Sequence, residues 1–439
     1  MRNALTLLCL TLLFATATAQ PMRLSLDECI RIAMSDNPTI KVDSMEIQRV
    51  NYALKEVKGQ LFPQINATGT YTRNLALQTM YMDAGDGTTR AIKMGTDNNY
   101  SAGFNASLPV VATALWRSIK LNENQILQNI EKARANKLSL VNQIKNAYYT
   151  LLLAQDSKRV IEASHATAQR HAEIYRKQYQ IGTASEYDVL RANVAVTNLE
   201  PSILQTENTI NLLELQLKVL MGMDVNQEID PRETLDDYKA SMYGRVMATD
   251  TSLVNNTSLK QLDLQTDLLR KTVDVRRAAW HPTLSLTGNL MWHSMSNGGP
   301  FKKFNWNRSS NIGLTVAWPV FTGFQRTNRI KQAEIQAAEM KWQRENLERS
   351  LHMQMQTHIN TINKSIKQIE TNEAGVRQAE KANEIMQKSF QIGAASFIQL
   401  LDTDDALMTA RLAYYEAIYD YLVAESELEL VLGNNPHAN

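Results

Sequence analysis

The chain has 439 residues, with 46 basic and 45 acidic side chains and a formal net charge of +1. A balance this even lacks the basic footprint that nucleic-acid binding needs, so no nucleic-acid partner is expected. Two cysteines, ten prolines and 17 glycines argue against a disulfide-built scaffold and leave room for long helices.

Residues 1–19 read as a secretory signal peptide. Arg2 is its positive end, Leu5 to Ala15 an apolar core too short to span a bilayer, and Ala17-Thr18-Ala19 a small-x-small cleavage site. Cys9 lacks the small residue that precedes a lipidated cysteine, so no lipid anchor is expected. The mature chain, from about Gln20, keeps only Cys29, so packing or oligomerisation must supply stability. No later run of about 20 apolar residues offers a transmembrane helix.

The first structural repeat is expected over 20–230. A short amphipathic helix covers Leu24 to Ala33, and a second runs over about 38–58 with Pro38 in its first turn. The period then changes to two. Ile65, Ala67, Gly69 and Tyr71 alternate with polar residues in a strand at about 62–74. A polar loop is expected from Asn74 to Asn99, with Asp83-Ala-Gly-Asp86-Gly inside it. A second strand covers about 99–110, and Pro109 closes it. No Gly or Pro occurs from Val110 to Ile181, a stretch of roughly 108 Å if helical. Val141, Ile144, Tyr148 and Leu151 step by three and four, as in a coiled coil. This helix, at about 111–181, is followed by another at 185–221, with Pro201 as a kink candidate and Gly222 as its stop.

The pattern then recurs over 231–439. Asn256-Thr-Ser-Leu259 matches Asn37-Pro-Thr-Ile40, and Trp318-Pro-Val-Phe321 matches Leu108-Pro-Val-Val111. Helices are expected at about 257–280, 324–392 and 396–432, with Gly375 interrupting the long one, and strands at about 283–293 and 310–321. In the first repeat the two shorter helices, 38–58 and 185–221, together nearly cover the length of the long one. Stacked end to end against it, they would make a rod of roughly 100 Å.

Two stretches join the long helices to their successors. Gln180-Ile-Gly182-Thr183-Ala184-Ser185 and Gln391-Ile-Gly393-Ala394-Ala395-Ser396 each place a glycine stop before a serine N-cap. Ser396 with Gln399 makes a capping box, and Ser185 with Asp188 its weaker acidic version.

Four strands cannot close a membrane barrel alone, since the smallest use about eight, and open edges are not viable in lipid. Either the strands form a soluble sheet or several chains share one barrel. Tyr71, Tyr100, Trp292 and Trp318 suit interfacial girdles, and the Ser, Thr, Asn and Gly face suits a wet lumen. Neutral polar residues crowd Gln354 to Asn372, which suits a helix facing enclosed water.

The two-fold repeat, the Leu108-Pro-Val and Trp318-Pro-Val-Phe321 strand ends, the two Gln-Ile-Gly tips and Gly433 after Glu427 to Leu432 together resemble the TolC-like outer-membrane efflux proteins. The resemblance spans essentially the whole mature chain. It implies an α+β fold, mainly α, in which long helical hairpins form a periplasmic α-barrel below a shared twelve-strand β-barrel in the outer membrane. It implies a homotrimer, a periplasmic membrane-fusion adaptor docked at the tips, and an inner-membrane transporter of RND or ABC type supplying the energy. By this resemblance Gly182, Thr183, Ala184, Ser185, Gly393, Ala394, Ala395 and Ser396 are the adaptor-docking residues. Asp188, Gln399, Asp402 and Asp405 are periplasmic gate candidates. Gln399 is not acidic, and Phe390 and Ala395 lack the groups that would pair with Asp188, so Asp188 and Asp402 also fit as plain first-turn carboxylates.

The expected activity is passive export of drugs and toxic compounds. Protein secretion or metal efflux through the same duct, and a periplasmic coiled-coil scaffold, are the alternatives. No catalytic motif appears. His352-Met-Gln-Met355-Gln-Thr-His358 hints at soft-metal transport, but its histidines do not share an i, i+4 face and methionine is an ordinary core filler. No metal or cofactor is expected.

Overall fold

The computed structural model describes residues 22–434 except 84, 86, 246–251, 299, 300, 302 and 303. The expected signal peptide, with Cys9, lies outside the described residues. In chain order the described elements are β1 (Met22–Leu24), α1 (Leu26–Asp36), α2 (Pro38–Gly59), β2 (Gln64–Arg73), β3 (Gln78–Asp83), β4 (Thr89–Met94), β5 (Asn98–Val111), α3 (Thr113–Gln180), α4 (Glu186–Met221), β6 (Ile229–Pro231), α5 (Leu235–Arg245), α6 (Thr257–Ala278), β7 (Thr283–Ser296), β8 (Asn307–Ala317), α7 (Gln325–Gln391) and α8 (Phe397–Leu432). They fall into two compact units. One holds residues up to 45, 131–261 and 344 onward, and the other holds 46–130 and 262–343. Each unit draws on both sequence repeats.

The second unit carries an antiparallel sheet in the order β2-β5-β7-β8. Its register puts Ile65, Ala106, Gly288 and Ile312 in one row of the apolar face. The neighbouring row on the opposite face is Asn66, Asn105, Asn289 and Asn311, one asparagine from every strand. Asn289 donates to Asn311 Oδ1 at 2.9 Å within it. The outer strands β2 and β8 are exposed along their whole length. All four strands connect to helices at one end of the sheet, because β2 and β7 begin there and β5 and β8 finish there.

Three expectations for these strands change. Residues 74–99 are not a plain loop, because β3 and β4 pair there as a hairpin. Each strand has six residues and both faces are exposed, so no buried stripe marks them in the sequence. Pro109 does not close β5, which continues to Val111 through a register shift between Pro109 and Val111. β8 stops at Ala317, so Trp318 to Phe321 leave the sheet before Pro319 would have to donate to it.

The first unit is built on the helix seams. Val141, Ile144, Tyr148 and Leu151 are fully buried, as are Leu217, Ile362 and Ile369. Burying each such side chain stabilises the fold by about 1.5–3 kcal/mol. The short helix α5, not anticipated from the sequence, adds Leu235 and Met242 to this core. Glu233 sits against it, and one carboxylate oxygen accepts from Leu26 N at 3.2 Å, Tyr148 Oη at 2.9 Å and Tyr238 Oη at 2.7 Å. Burial pushes the Cys29 thiol up to about 12, with Glu233 and Glu28 adding to the effect, so it stays an inert core group. Gly375 does not interrupt α7, and α4 continues through Pro201.

Two buried asparagines join the helices of this unit. Asn37 accepts from Thr39 N with Oδ1 at 2.7 Å, capping α2, and donates Nδ2 to Leu220 O at 2.7 Å in the last turn of α4. Asn256 does the same in the second repeat, capping α6 through Leu259 N at 2.9 Å and donating to Val431 O of α8 at 2.6 Å. Gly222 and Gly433 end α4 and α8 in left-handed conformation, with φ of 73° and 68°. Each glycine presses on the segment before its asparagine. A Cβ on Gly222 would lie 2.9 Å from Asp36 O, and one on Gly433 only 2.1 Å from Asn255 O.

Asn37→Asp and Asn256→Asp keep the cap but replace the donor with a second acceptor facing a carbonyl. Each is expected to cost about 1–3 kcal/mol, read as a lower thermal midpoint of the detergent-purified protein. An unchanged midpoint would deny these asparagines a structural role. In the same assay Gly433→Ala should destabilise more than Gly222→Ala, each by at least about 1–3 kcal/mol. Gly375→Ala, in an open helix interior, should stabilise by roughly 0.5–1 kcal/mol.

Candidate functional site

The two tips close in the same way. At the first, Gly182 (φ 78°) donates to Tyr179 O at 3.0 Å and Thr183 N to Gln178 O at 2.8 Å. At the second, Gly393 (φ 77°) donates to Phe390 O at 3.0 Å and Ala394 N to Ser389 O at 2.8 Å. This is the paired-bond stop that a left-handed glycine allows. Gly182, Thr183 and Ser185 are exposed, as are Gly393, Ala394 and Ser396, while Ala184 and Ala395 are half-buried.

Both following helices start with a complete capping box. Ser185 Oγ accepts from Asp188 N at 3.2 Å, and Asp188 Oδ2 accepts from Ser185 N at 3.2 Å and Ser185 Oγ at 2.6 Å. Ser396 Oγ accepts from Gln399 N at 3.3 Å, and Gln399 Oε1 accepts from Ser396 N at 2.9 Å. Two of the four gate candidates, Asp188 and Gln399, are therefore engaged in holding their own helix starts.

Beneath the tips lies a small core of Ala172, Tyr175, Ala192, Phe397 and Leu400, with Ala184 and Phe390 packed against it. Tyr175 lies 4.3 Å from Phe397 and 6.0 Å from Phe390, centroid to centroid. The missing hydroxyl at Phe390 is thus matched by aromatic packing. The Tyr175 phenol is pushed up to about 12, by burial first and by the Asp188 carboxylate second.

The remaining candidates lie further along α8. Asp402, Asp404 and Asp405 line one groove of about 660 Å³ with Tyr187, Leu190 and Arg191 of α4. Asp402 and Asp405 are exposed. Although Asp405 is exposed overall, the groove walls take water from its carboxyl and raise its pKa above the ordinary aspartate value, and Asp404 and Asp402 raise it further. Asp404 does structural work that its sequence position did not reveal. Its Oδ2 lies 3.1 Å from His171 Nε2 on α3, and its Oδ1 accepts from Asn383 on α7 at 2.6 Å. His171 is 233 residues away, so no local pattern could have paired them. Away from the tips, Met355 of the candidate metal path packs against the large core.

Comparison with known proteins bears on this arrangement. The model of the outer membrane efflux protein family matches twice, over residues 29–223 and 248–434. The chain is 24% identical to outer membrane protein TolC of Vibrio cholerae over 421 residues, covering 93% of this chain and 90% of the relative. It is 22% identical to the alkaline protease secretion protein AprF of Pseudomonas aeruginosa over 325 residues, covering 71% and 67%. Among solved structures, CusC superposes with a TM-score of 0.77 at 16% identity, covering 96% of each chain. The outer membrane protein VceC of Vibrio cholerae superposes with a TM-score of 0.75 at 15% identity, covering 93% of this chain and 96% of that one. The paired tips, the paired Asn37 and Asn256 joints and the two successive family matches describe one duplicated unit, and the chain belongs to the outer membrane efflux protein family.

Proposed function

We propose that this protein is the passive outer-membrane duct of a tripartite export system, moving small molecules such as drugs and toxic compounds out of the cell. The family is one of outer-membrane channels in a Gram-negative-type envelope, not of enzymes. The observation that carries the finer reading is the sheet. Its outer strands β2 and β8 have unpaired edges, and Ile65, Ile312, Leu314 and Val316 are 67%, 84%, 67% and 66% exposed. Lipid does not tolerate open edges. Three copies joined edge to edge bring twelve strands, within the range of outer-membrane barrels. The apolar face then meets lipid and the asparagine face meets water. A periplasmic scaffold would leave that apolar face wet.

The exposed tip residues, Gly182, Thr183 and Ser185 with Gly393, Ala394 and Ser396, are the proposed docking surface for a periplasmic adaptor, which links the duct to an inner-membrane transporter of RND or ABC type. Ala184 and Ala395 support the turns from beneath. Asp402 and Asp405 are the proposed charge-selective part of the gate, while Asp188 and Gln399 hold the helix starts beside it. The same duct serving protein secretion is a second reading, favoured by the likeness to a protease secretion protein.

Cysteines at Thr183 or Ala394 in the full chain should cross-link in cells to a membrane-fusion adaptor identified by mass spectrometry, and a cysteine at Thr357 should not. Equal yields from all three would sink the docking role. The pump partnered with that adaptor then separates drug export from protein secretion. In planar bilayers, Asp402→Ala with Asp405→Ala should reduce cation selectivity by roughly two- to fivefold, a change of about 0.4–1 kcal/mol at one-tenfold-per-1.36 kcal/mol scaling. The raised pKa of Asp405 sets the pH dependence. The folded state holds this proton more tightly than the unfolded chain, so Asp405 weakens the fold above its folded pKa, and the penalty fades as the pH falls through it. Part of the selectivity should therefore vanish on acidification before ordinary aspartates titrate, and Asp405→Asn should remove that early step. Identical profiles for wild type and variant would exclude Asp405 from the pathway.

A further inference from the structure

The sheet-bearing unit holds a concentration of positive charge that the near-neutral composition conceals. The end of α6 carries Arg270, Lys271, Arg276 and Arg277 against one acid, Asp274. The first turns of α7 carry Arg326, Arg329 and Lys331 with no acid before Glu334. These helix ends all lie next to the strand ends.

A pocket of about 290 Å³ opens within this region, lined by Arg117 and Lys120 of α3 and by Asp267, Arg270, Lys271 and Asp274 of α6. Arg270 is paired with Asp267 at 3.4 Å. Arg117, Lys120 and Lys271 have no carboxylate partner among the described residues. The pocket therefore presents more positive charge than its own acids neutralise.

Its height is fixed by the chain. β5 ends at Val111 and α3 starts at Thr113, so Arg117 and Lys120 lie roughly 6–10 Å along the helix from its start. A headgroup layer is about 5–7 Å thick on each side of the hydrocarbon core, and long basic side chains reach back toward it. Aromatic residues mark the same level. Trp116 is 45% exposed, and Trp318, Phe321 and Phe324 are 65%, 74% and 68% exposed beyond the end of β8. Exposed tryptophans of this kind settle at a membrane interface. Trp116 and Lys120 are four residues apart on α3 and so share a face.

We infer that the pocket between α3 and α6 binds the phosphate of an anionic phospholipid in the inner leaflet of the outer membrane, with Arg117, Lys120 and Lys271 as its ligands. Arg270 is held in place by Asp267, and Asp274 limits the site's charge. This rests on the duct reading, because it needs the sheet to sit in the membrane with the helices on the periplasmic side. The site fixes the depth of the barrel from below, where the aromatic belt alone is indifferent to headgroup charge.

The test uses the full-length protein purified in detergent micelles doped with equal phosphatidylglycerol and phosphatidylethanolamine, with retained lipid counted by native mass spectrometry. Wild type should retain phosphatidylglycerol at least about fivefold over phosphatidylethanolamine, R117Q, K120Q and K271Q should each lower that ratio, and R117Q/K120Q/K271Q should show no preference. Asp274→Asn, an exposed change that adds net positive charge, should raise it by a similar factor and guards against a triple variant that does not fold. Inorganic phosphate equimolar with the doped lipid should leave the retained lipid unchanged. Displacement by phosphate would make this a free-anion site, and an unaltered ratio in both R117Q/K120Q/K271Q and Asp274→Asn would overturn the proposal. Conductance in pure phosphatidylethanolamine bilayers should persist in every variant. Loss of conductance in wild type as well would instead count against the duct.

Discussion

The fold turns on one side chain used twice. Asn37 and Asn256 each face two ways, with an oxygen on the start of one helix and an amide N–H on the end of another. Only an amide does both at this size, since aspartate lacks the donor and serine lacks the reach. Both side chains are buried, and a buried polar group is tolerable only when its partners are in place. The glycine beside each joint is required because the backbones meet there with no space for a Cβ. The helix pairs therefore cannot slide past one another without breaking a satisfied pair of bonds and creating a clash.

Much of this was legible in the sequence, and the reason is periodicity. The steps Val141, Ile144, Tyr148, Leu151 and Ile359, Ile362, Ile366, Ile369 mark seams because a helix buries the same face at every turn. The glycine–serine tips were legible because a left-handed stop and an N-cap each demand particular residues. The asparagines were visible as part of the repeat but not as joints, because their partners Leu220 and Val431 offer backbone carbonyls that no side chain announces. The β3–β4 hairpin was missed because it buries nothing. The short helix α5 was missed because Leu235 and Met242 are too few to set a period.

At the tips, one motif serves structure and surface together. The capping boxes use Asp188 and Gln399 to fix the turns, which leaves Thr183 and Ala394 outward while Ala184 and Ala395 are half-buried. The acids that remain available are the next ones along α8, and they gather on one groove because positions 402 and 405 are neighbours on a helix face. Arg191 is the cation on the opposite wall, so the groove is not uniformly negative. Charge elsewhere is segregated as well. An even total conceals a basic collar at the strand ends and an acidic cluster near the tips, and only the fold tells these apart.

Each asparagine joint is internal to its own repeat, since Asn37 meets Leu220 and Asn256 meets Val431. A chain of half this length would already contain both partners of its joint, and joining two such halves adds a tether without adding a joint. Fusion halves the number of molecules that must find one another. It also releases the two halves from identity, which separate copies of one half-length chain could never achieve. The acid at Asp188 beside the amide at Gln399 is what that freedom looks like: two ends with one geometry and two chemistries.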